Sequence, residues 1–247
     1  MAAEVEPQLA LTALFNEHLA GPANAILGVF GITAENPHRP WSNWLVMELL
    51  VVALLMITVA IVRGRLSAQN PGKLQQIFEL AYEFIDNTIR EVGVHHGERF
   101  IYYVGTIFIF ILSMNLIGMV PGLGSPTNSV YVTVGLAIPT FIYYNVVGFR
   151  EFGFGYLKQF LGPVWWLYWL LIPVELISHF VRPLSLSVRL YGNMFAGEQV
   201  TGVFLSLTYL VIPVIFMLLH IFVALVQTYV FTLLTIIYLG QATSEEH

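Results

Sequence analysis

Five apolar runs constrain this chain more than any other feature: 44–62, 101–120, 130–148, 164–181 and 200–239. Each reaches or approaches the ~20 residues needed to cross ~30 Å of hydrocarbon at about 1.5 Å per residue. Only 10% of the 247 residues are charged and 57% are hydrophobic, with mean hydropathy +0.76. A soluble domain carries about a quarter charged residues. The expected fold is therefore all-α and polytopic, with about five membrane-embedded helices, one amphipathic interfacial helix, and the last two helices long and strongly tilted. Cysteine is absent, which removes disulfides, thiol catalysis and cysteine metal sites.

The basic residues predict the orientation. Residues 1–41 hold one, Arg39, and the 121–128 turn holds none. Arg63, Arg65, Lys73, Arg90, Arg99, Arg150 and Lys158 all fall in the connections on the other side. Cytoplasmic loops are the basic ones, so the N-terminus is expected outside and the C-terminus in the cytoplasm. Residues 1–40 read as an extracytoplasmic segment of short interfacial pieces or loop, without the basic lead of a cleaved signal peptide. Residues 41–247 read as one membrane domain: a first span at 42–62, an interfacial helix at 74–92, a hairpin at 100–148 and a tilted helix pair at 163–240. In the 74–92 segment, Leu74, Ile77, Ala81, Phe84, Ile85, Ile89 and Val92 repeat at three and four while Gln75, Glu79, Glu83 and Arg90 take the opposite face, the pattern of an amphipathic surface helix. From 163 to 207 there is no convincing loop. One helix of that length would be about 65 Å long, so it is expected to break at a proline or glycine or to tilt steeply.

Arg182 and Arg189 lie inside apolar sequence. A guanidinium does not deprotonate in a protein, and an intramembrane charge is costly and usually functional. On a wheel at about 100° per residue, Glu175, Ser178, Arg182, Ser185, Arg189 and Asn193 fall within roughly 40° of Arg189. Serine can bond back to its own helix, and Arg182 can snorkel to the cytoplasmic edge; neither accounts for Arg189. Glu198 lies about 180° round and ~13 Å beyond Arg189. His220 and Gln227, seven apart, share a face of the next segment, so antiparallel pairing would let Glu198 and Asn193 meet His220 and Gln227. An acid, an imidazole and amides suit a hydrated proton path. Two polar groups thus flank one fixed charge, and a proton crosses only if a mobile acid carries it between them. The single aspartate, Asp86, sits in the interfacial helix, so that acid is expected on a partner.

The segments Leu186-Ser187-Val188-Arg189-Leu190-Tyr191-Gly192-Asn193-Met194-Phe195-Ala196-Gly197-Glu198 and Gln227-Thr228-Tyr229-Val230-Phe231-Thr232-Leu233-Leu234-Thr235 resemble the two signatures of subunit a of the F-type ATP synthases of bacteria. Pro71-Gly72-Lys73, Met114-Asn115-Leu116-Ile117-Gly118 and the closing Ser244-Glu245-Glu246-His247 fit the same family, from about residue 40 to the end. The resemblance implies a stator subunit of the membrane sector in the bacterial inner membrane. Arg189 would face the essential carboxylate of the rotating c-ring. Asn193, Glu198, His220 and Gln227 would belong to the outer half-channel, and Glu175, Ser178 and Ser185 to the cytoplasmic one. It also implies contact with peripheral-stalk subunit b and the lipid bilayer, and no cofactor, metal or nucleic acid. Val181 departs from the pattern where some members carry serine, and Ser125-Pro126-Thr127-Asn128 lacks an aspartate frequent in the external turn.

Two other readings use the same residues. A secondary transporter would be expected to carry internal repeats, and none is evident. An intramembrane metal hydrolase could draw on His179, His220, Glu175 and Glu198, but no His-Glu-x-x-His spacing occurs. Gly-x-x-x-x-Gly-Lys is absent too, so ATP chemistry is expected on another chain.

Overall fold

In a computed structural model, residues 8–29, 36–67, 69–94, 96–120, 122–160, 168–207 and 211–243 are described, and all regular structure among them is helical. Seven α-helices follow in order: α1 Ala10–Val29, α2 Asn43–Gly64, α3 Lys73–Val92, α4 Ile101–Ile117, α5 Val130–Phe152, α6 Tyr168–Leu207 and α7 Val211–Thr243. Short 3-10 segments stand at Gly97–Arg99, Pro126–Asn128 and Gly153–Phe160. Four helices are long and apolar enough to cross a membrane, beginning at Asn43, Val130, Tyr168 and Pro213, and α4 is a shorter apolar helix of 17 residues. At about 1.5 Å per residue, α4 still covers ~26 Å, close to the hydrocarbon thickness. The chain is a polytopic all-α membrane protein. Pro121, the start of the long helix at 163–167, and the closing Ser244-Glu245-Glu246-His247 lie outside the described residues.

Two clusters of buried side chains hold the helices together. One joins Val51 of α2, Ile111 and Met114 of α4, Val132 of α5, Leu186, Leu190 and Met194 of α6, and Phe231 of α7. The other joins Ile85 and Ile89 of α3 to Ile101, Val104, Tyr144, Ile236 and Leu239. Lipid tails are as apolar as these side chains, so close packing and interhelical hydrogen bonds drive association more than water exclusion does. Side chains facing outward are apolar as well: Met56, Ile57, Ile177, Phe180, Leu184, Val188, Leu218 and Phe222 are all more than half exposed.

Helix α3 does more than lie along an interface. Its C-terminal half buries Ile85 and Ile89 against α4 and α7, while Leu74, Ile77 and Leu80 stay exposed. The helix stops at Gly93, whose φ of 76° is the left-handed conformation that ends many helices. On its outer face Asp86 accepts from Arg90 at 2.9 Å, and that carboxylate pushes the guanidinium further above its ordinary value.

One expectation differs from what is observed. The N-terminal segment forms one 20-residue helix across Pro22 rather than separate pieces or loop. Its tie is visible in the contacts: Asn16 Nδ2 donates to the Trp41 carbonyl at 3.1 Å, its Oδ1 accepts from the Trp41 N–H at 3.0 Å, and Trp41 Nε1 donates to Leu19 O at 3.0 Å. Asn16 breaks the apolar pattern of the segment because it fastens α1 to the lead into α2. Of the two alternatives left open for 163–207, a break or a steep tilt, the break does not occur: α6 runs unbroken for 40 residues through Pro173 and Pro183, about 60 Å of helix.

Candidate functional site

Helix α6 presents two adjacent stripes. The inward one, His179, Leu186, Ser187, Leu190 and Met194, is buried; Ser187 Oγ lies 3.1 Å from Thr133 Oγ1 of α5. The neighbouring stripe is the polar one read from the sequence. Glu175 and Arg182 on it form an ion pair at 3.7 Å, and Arg182 also sits 5.1 Å over the Tyr238 ring. Arg189 is exposed, and its Nη2 makes one long contact to Ser185 Oγ at 3.5 Å. Among the described residues no ion pair reaches it. The two intramembrane arginines therefore differ: Arg182 is occupied by groups of its own chain, and Arg189 points outward from the bundle.

Helices α6 and α7 pack together as an antiparallel pair. Asn193 Nδ2 donates to Gln227 Oε1 at 2.6 Å, as the expected pairing requires. One turn further along α6, Gly197 lies against His220: a Cβ there would stand 2.5 Å from Nε2. The absent side chain is what lets the imidazole fit between the helices.

Glu198 goes elsewhere. Its Oε1 accepts from the Ser125 N–H at 2.9 Å, and its Oε2 accepts from Asn128 Nδ2. His220 is buried, and its Nε2 has no hydrogen-bond partner, so the direct meeting of Glu198 with that nitrogen does not occur. The physical reason is angular: Gly197 faces α7, and the next residue is turned about 100° away, toward the Pro126–Asn128 turn.

Beneath that turn lies a buried polar chain. Ser125 Oγ and Thr127 Oγ1 are 2.7 Å apart, Thr127 Oγ1 donates to Asn115 Oδ1 at 2.8 Å, and Asn115 Nδ2 donates to Thr228 Oγ1 at 3.1 Å. It links the Pro126–Asn128 turn to α4 and to the residue beside Gln227. Toward the other end of α6, His179 Nε2 and Tyr156 OH lie 2.9 and 3.1 Å from Asn145 Oδ1. The sequence had a signal for the first network, a lone asparagine in the apolar 101–120 run. It had none for Asn128 or Asn145, whose partners are 70 and 34 residues away.

The polar residues thus sort into two sets along α6. Glu175 and Ser178 stand beside the α5 end that carries Asn145, and Glu198 stands at the opposite end, against the Pro126–Asn128 turn. Glu175 and Glu198 are about 34 Å apart along the helix, with Arg189 about 21 Å from the first and ~13 Å from the second. No group of three or more His, Cys, Asp or Glu suited to a metal occurs among the described residues, which leaves the metal-hydrolase alternative without a site there.

A family model described as "ATP synthase A chain" matches residues 45–240. The chain is 51% identical over 235 residues to ATP synthase subunit a of Solibacter usitatus, covering 95% of this chain and 100% of that one. It is 47% identical to ATP synthase subunit a of Koribacter versatilis, covering 97% and 98%. Similarity of that extent, end to end and across every helix described above, leads to one conclusion: the chain is a multi-pass membrane protein of the ATP synthase subunit a family.

Proposed function

We propose that the chain is the stator of a rotary proton channel, offering two offset half-paths to a carboxylate on a ring of partner subunits, with Arg189 between them. The observation that carries this reading is the exposed Arg189, which pairs with no carboxylate among the described residues and lies on α6 between polar groups at opposite ends. Asn193, Glu198, His220 and Gln227 form the outer half-path; Glu175, Ser178 and Ser185 form the cytoplasmic one. The N-terminus is outside, the C-terminus is cytoplasmic, and the membrane is the bacterial plasma membrane. A peripheral-stalk subunit b holds the chain against rotation, and no catalytic site for ATP lies on it.

The mechanism follows from electrostatics. A carboxylic acid facing lipid stays neutral because a buried charge is expensive. As it reaches Arg189 the fixed cation favours its ionised form, so it gives up its proton to one half-path. Once past the arginine it takes a proton from the other. Each proton moved through 100 mV supplies about 2.3 kcal/mol, and the offset between the half-paths turns that energy into a direction of rotation. Without the fixed cation, an acid could pass protonated and the gradient would do no work.

The test is ATP-driven proton pumping in inverted vesicles carrying the complete complex, wild type against Arg189→Ala. Pumping should vanish while the variant still assembles and retains its ATP-hydrolysing sector. Undiminished pumping by a fully assembled variant would sink the role given to Arg189.

A further inference from the structure

Two threonine hydroxyls of the described helices are buried without a partner, Thr12 of α1 and Thr201 of α6. Eight others, Thr58, Thr140 and Thr232 among them, donate to the carbonyl four residues back at 2.7–2.9 Å. That back-bond is how a threonine satisfies its hydroxyl inside a helix. Thr201 has the Gly197 carbonyl at the same spacing, yet its Oγ1 is buried with no partner. Buried polar atoms are nearly always bonded, and an exception calls for a ligand or water.

Its position supplies the candidate. On the α6 wheel, Thr201 lies about 40° from Gly197 and ~60° from Glu198, one turn further toward the outer end. It therefore occupies the strip between the face that meets His220 and the face that meets the external turn. His220 Nε2, packed against Gly197, and Asn128 Oδ1, on the side chain that donates to Glu198, are the other buried polar atoms of this region without a partner. A bound water needs two to four polar partners, and a hydroxyl, an imidazole nitrogen and a nearby carboxylate supply them. Glu198 is held against the turn by two hydrogen bonds that it accepts.

We propose that Thr201 is a further residue of the proton path: with His220 Nε2 it holds the water that passes protons between His220 and Glu198. This rests on the outer half-path described above. In one relay event the water accepts the proton from protonated Nε2 and releases one of its own to the Glu198 carboxylate. The imidazole is left neutral, the acid gains a proton, and the water is regenerated. Thr201 keeps its proton throughout and acts by fixing the water's place.

The test is pumping by the complete complex, read per assembled complex, for Thr201→Val, Thr201→Ser, His220→Leu, the Thr201→Val/His220→Leu double variant and Glu198→Gln. Valine keeps the shape and removes the hydroxyl, so pumping should fall about fivefold, the rate equivalent of one lost hydrogen bond. Serine should restore most of that loss. The double variant should pump no worse than His220→Leu alone, since both act through one water; a packing defect would multiply instead. If valine lowers assembly, Thr201→Ala carries the same prediction per assembled complex. Wild-type pumping by the valine variant beside a dead Glu198→Gln would overturn the role of Thr201 and leave the outer half-path standing. Wild-type pumping by Glu198→Gln would remove the half-path itself.

Discussion

Adding a single methyl group at Gly197 tests the packing of the α6–α7 pair. In Gly197→Ala the new Cβ would stand 2.5 Å from Nε2, 2.6 Å from Cδ2 and 2.9 Å from Cε1 of His220. Favourable contact between such atoms begins near ~3.5 Å, so the ring must retreat by about 1 Å. His220 is only 6% exposed, and three ring atoms meet the methyl together, so a small swing of one atom does not relieve the clash. Overpacking of this kind costs about 1–3 kcal/mol, roughly a 5- to 150-fold change in the balance between the packed and opened helix pair. The assay is thermal release of the chain from the purified complex in detergent, for wild type, Gly197→Ala, His220→Ala and the double variant. Gly197→Ala should lower the transition. In the His220→Ala background the methyl enters the space the ring leaves, and its cost should shrink to below ~0.5 kcal/mol, a coupling that double-mutant analysis resolves. Equal cost in both backgrounds, or none in the wild type, would refute the close approach of Gly197 and His220.

Asn145→Leu removes the acceptor beside both His179 and Tyr156, and each lost hydrogen bond costs about 0.5–1.5 kcal/mol. Hydrogen exchange should speed up across 153–156 and leave the α6–α7 contact near Gln227 unchanged. Gly93→Ala forces a Cβ into the left-handed conformation at φ 76°, which costs about 1–2 kcal/mol. It should fray the last turn of α3, seen as faster exchange at 89–92, whereas Gly72→Ala at the other end of α3, where φ is −66°, should not.

Much of this architecture was legible in the chain. Apolar runs of membrane length became α2, α4, α5, α6 and α7, because lipid leaves a helical backbone few alternatives. The period of α3 revealed its two faces, and the Arg189 stripe could be drawn from spacing alone. Spacing also brought Asn193 to Gln227, since antiparallel neighbours four and seven residues apart come into register. Spacing was weakest where a contact depends on a turn. Glu198 was read against the helix that follows it, but its oxygens are held by Ser125 and Asn128, some 70 residues earlier. A wheel places a side chain on a face and says nothing about which loop covers that face. For the long polar helix spacing left a break or a steep tilt open, and the unbroken α6 excludes the break. A missing N–H weakens a helix locally, but contacts to α5 through His179 and Ser187, one on each side of Pro183 in sequence, keep its axis continuous.

Those side ties have a mechanical consequence. A slender rod held only at its ends bends readily, and its compliance rises with the cube of the unsupported length. Helix α6 is pinned at His179 and Ser187 to α5, at Asn193 to α7 and at Glu198 to the turn before α5. Its longest unsupported stretch between those pins is about 12 Å out of ~60 Å. A sideways push on the exposed face carrying Arg189 is therefore shared among three neighbours before the rod can flex, so the guanidinium keeps its distance from whatever slides past.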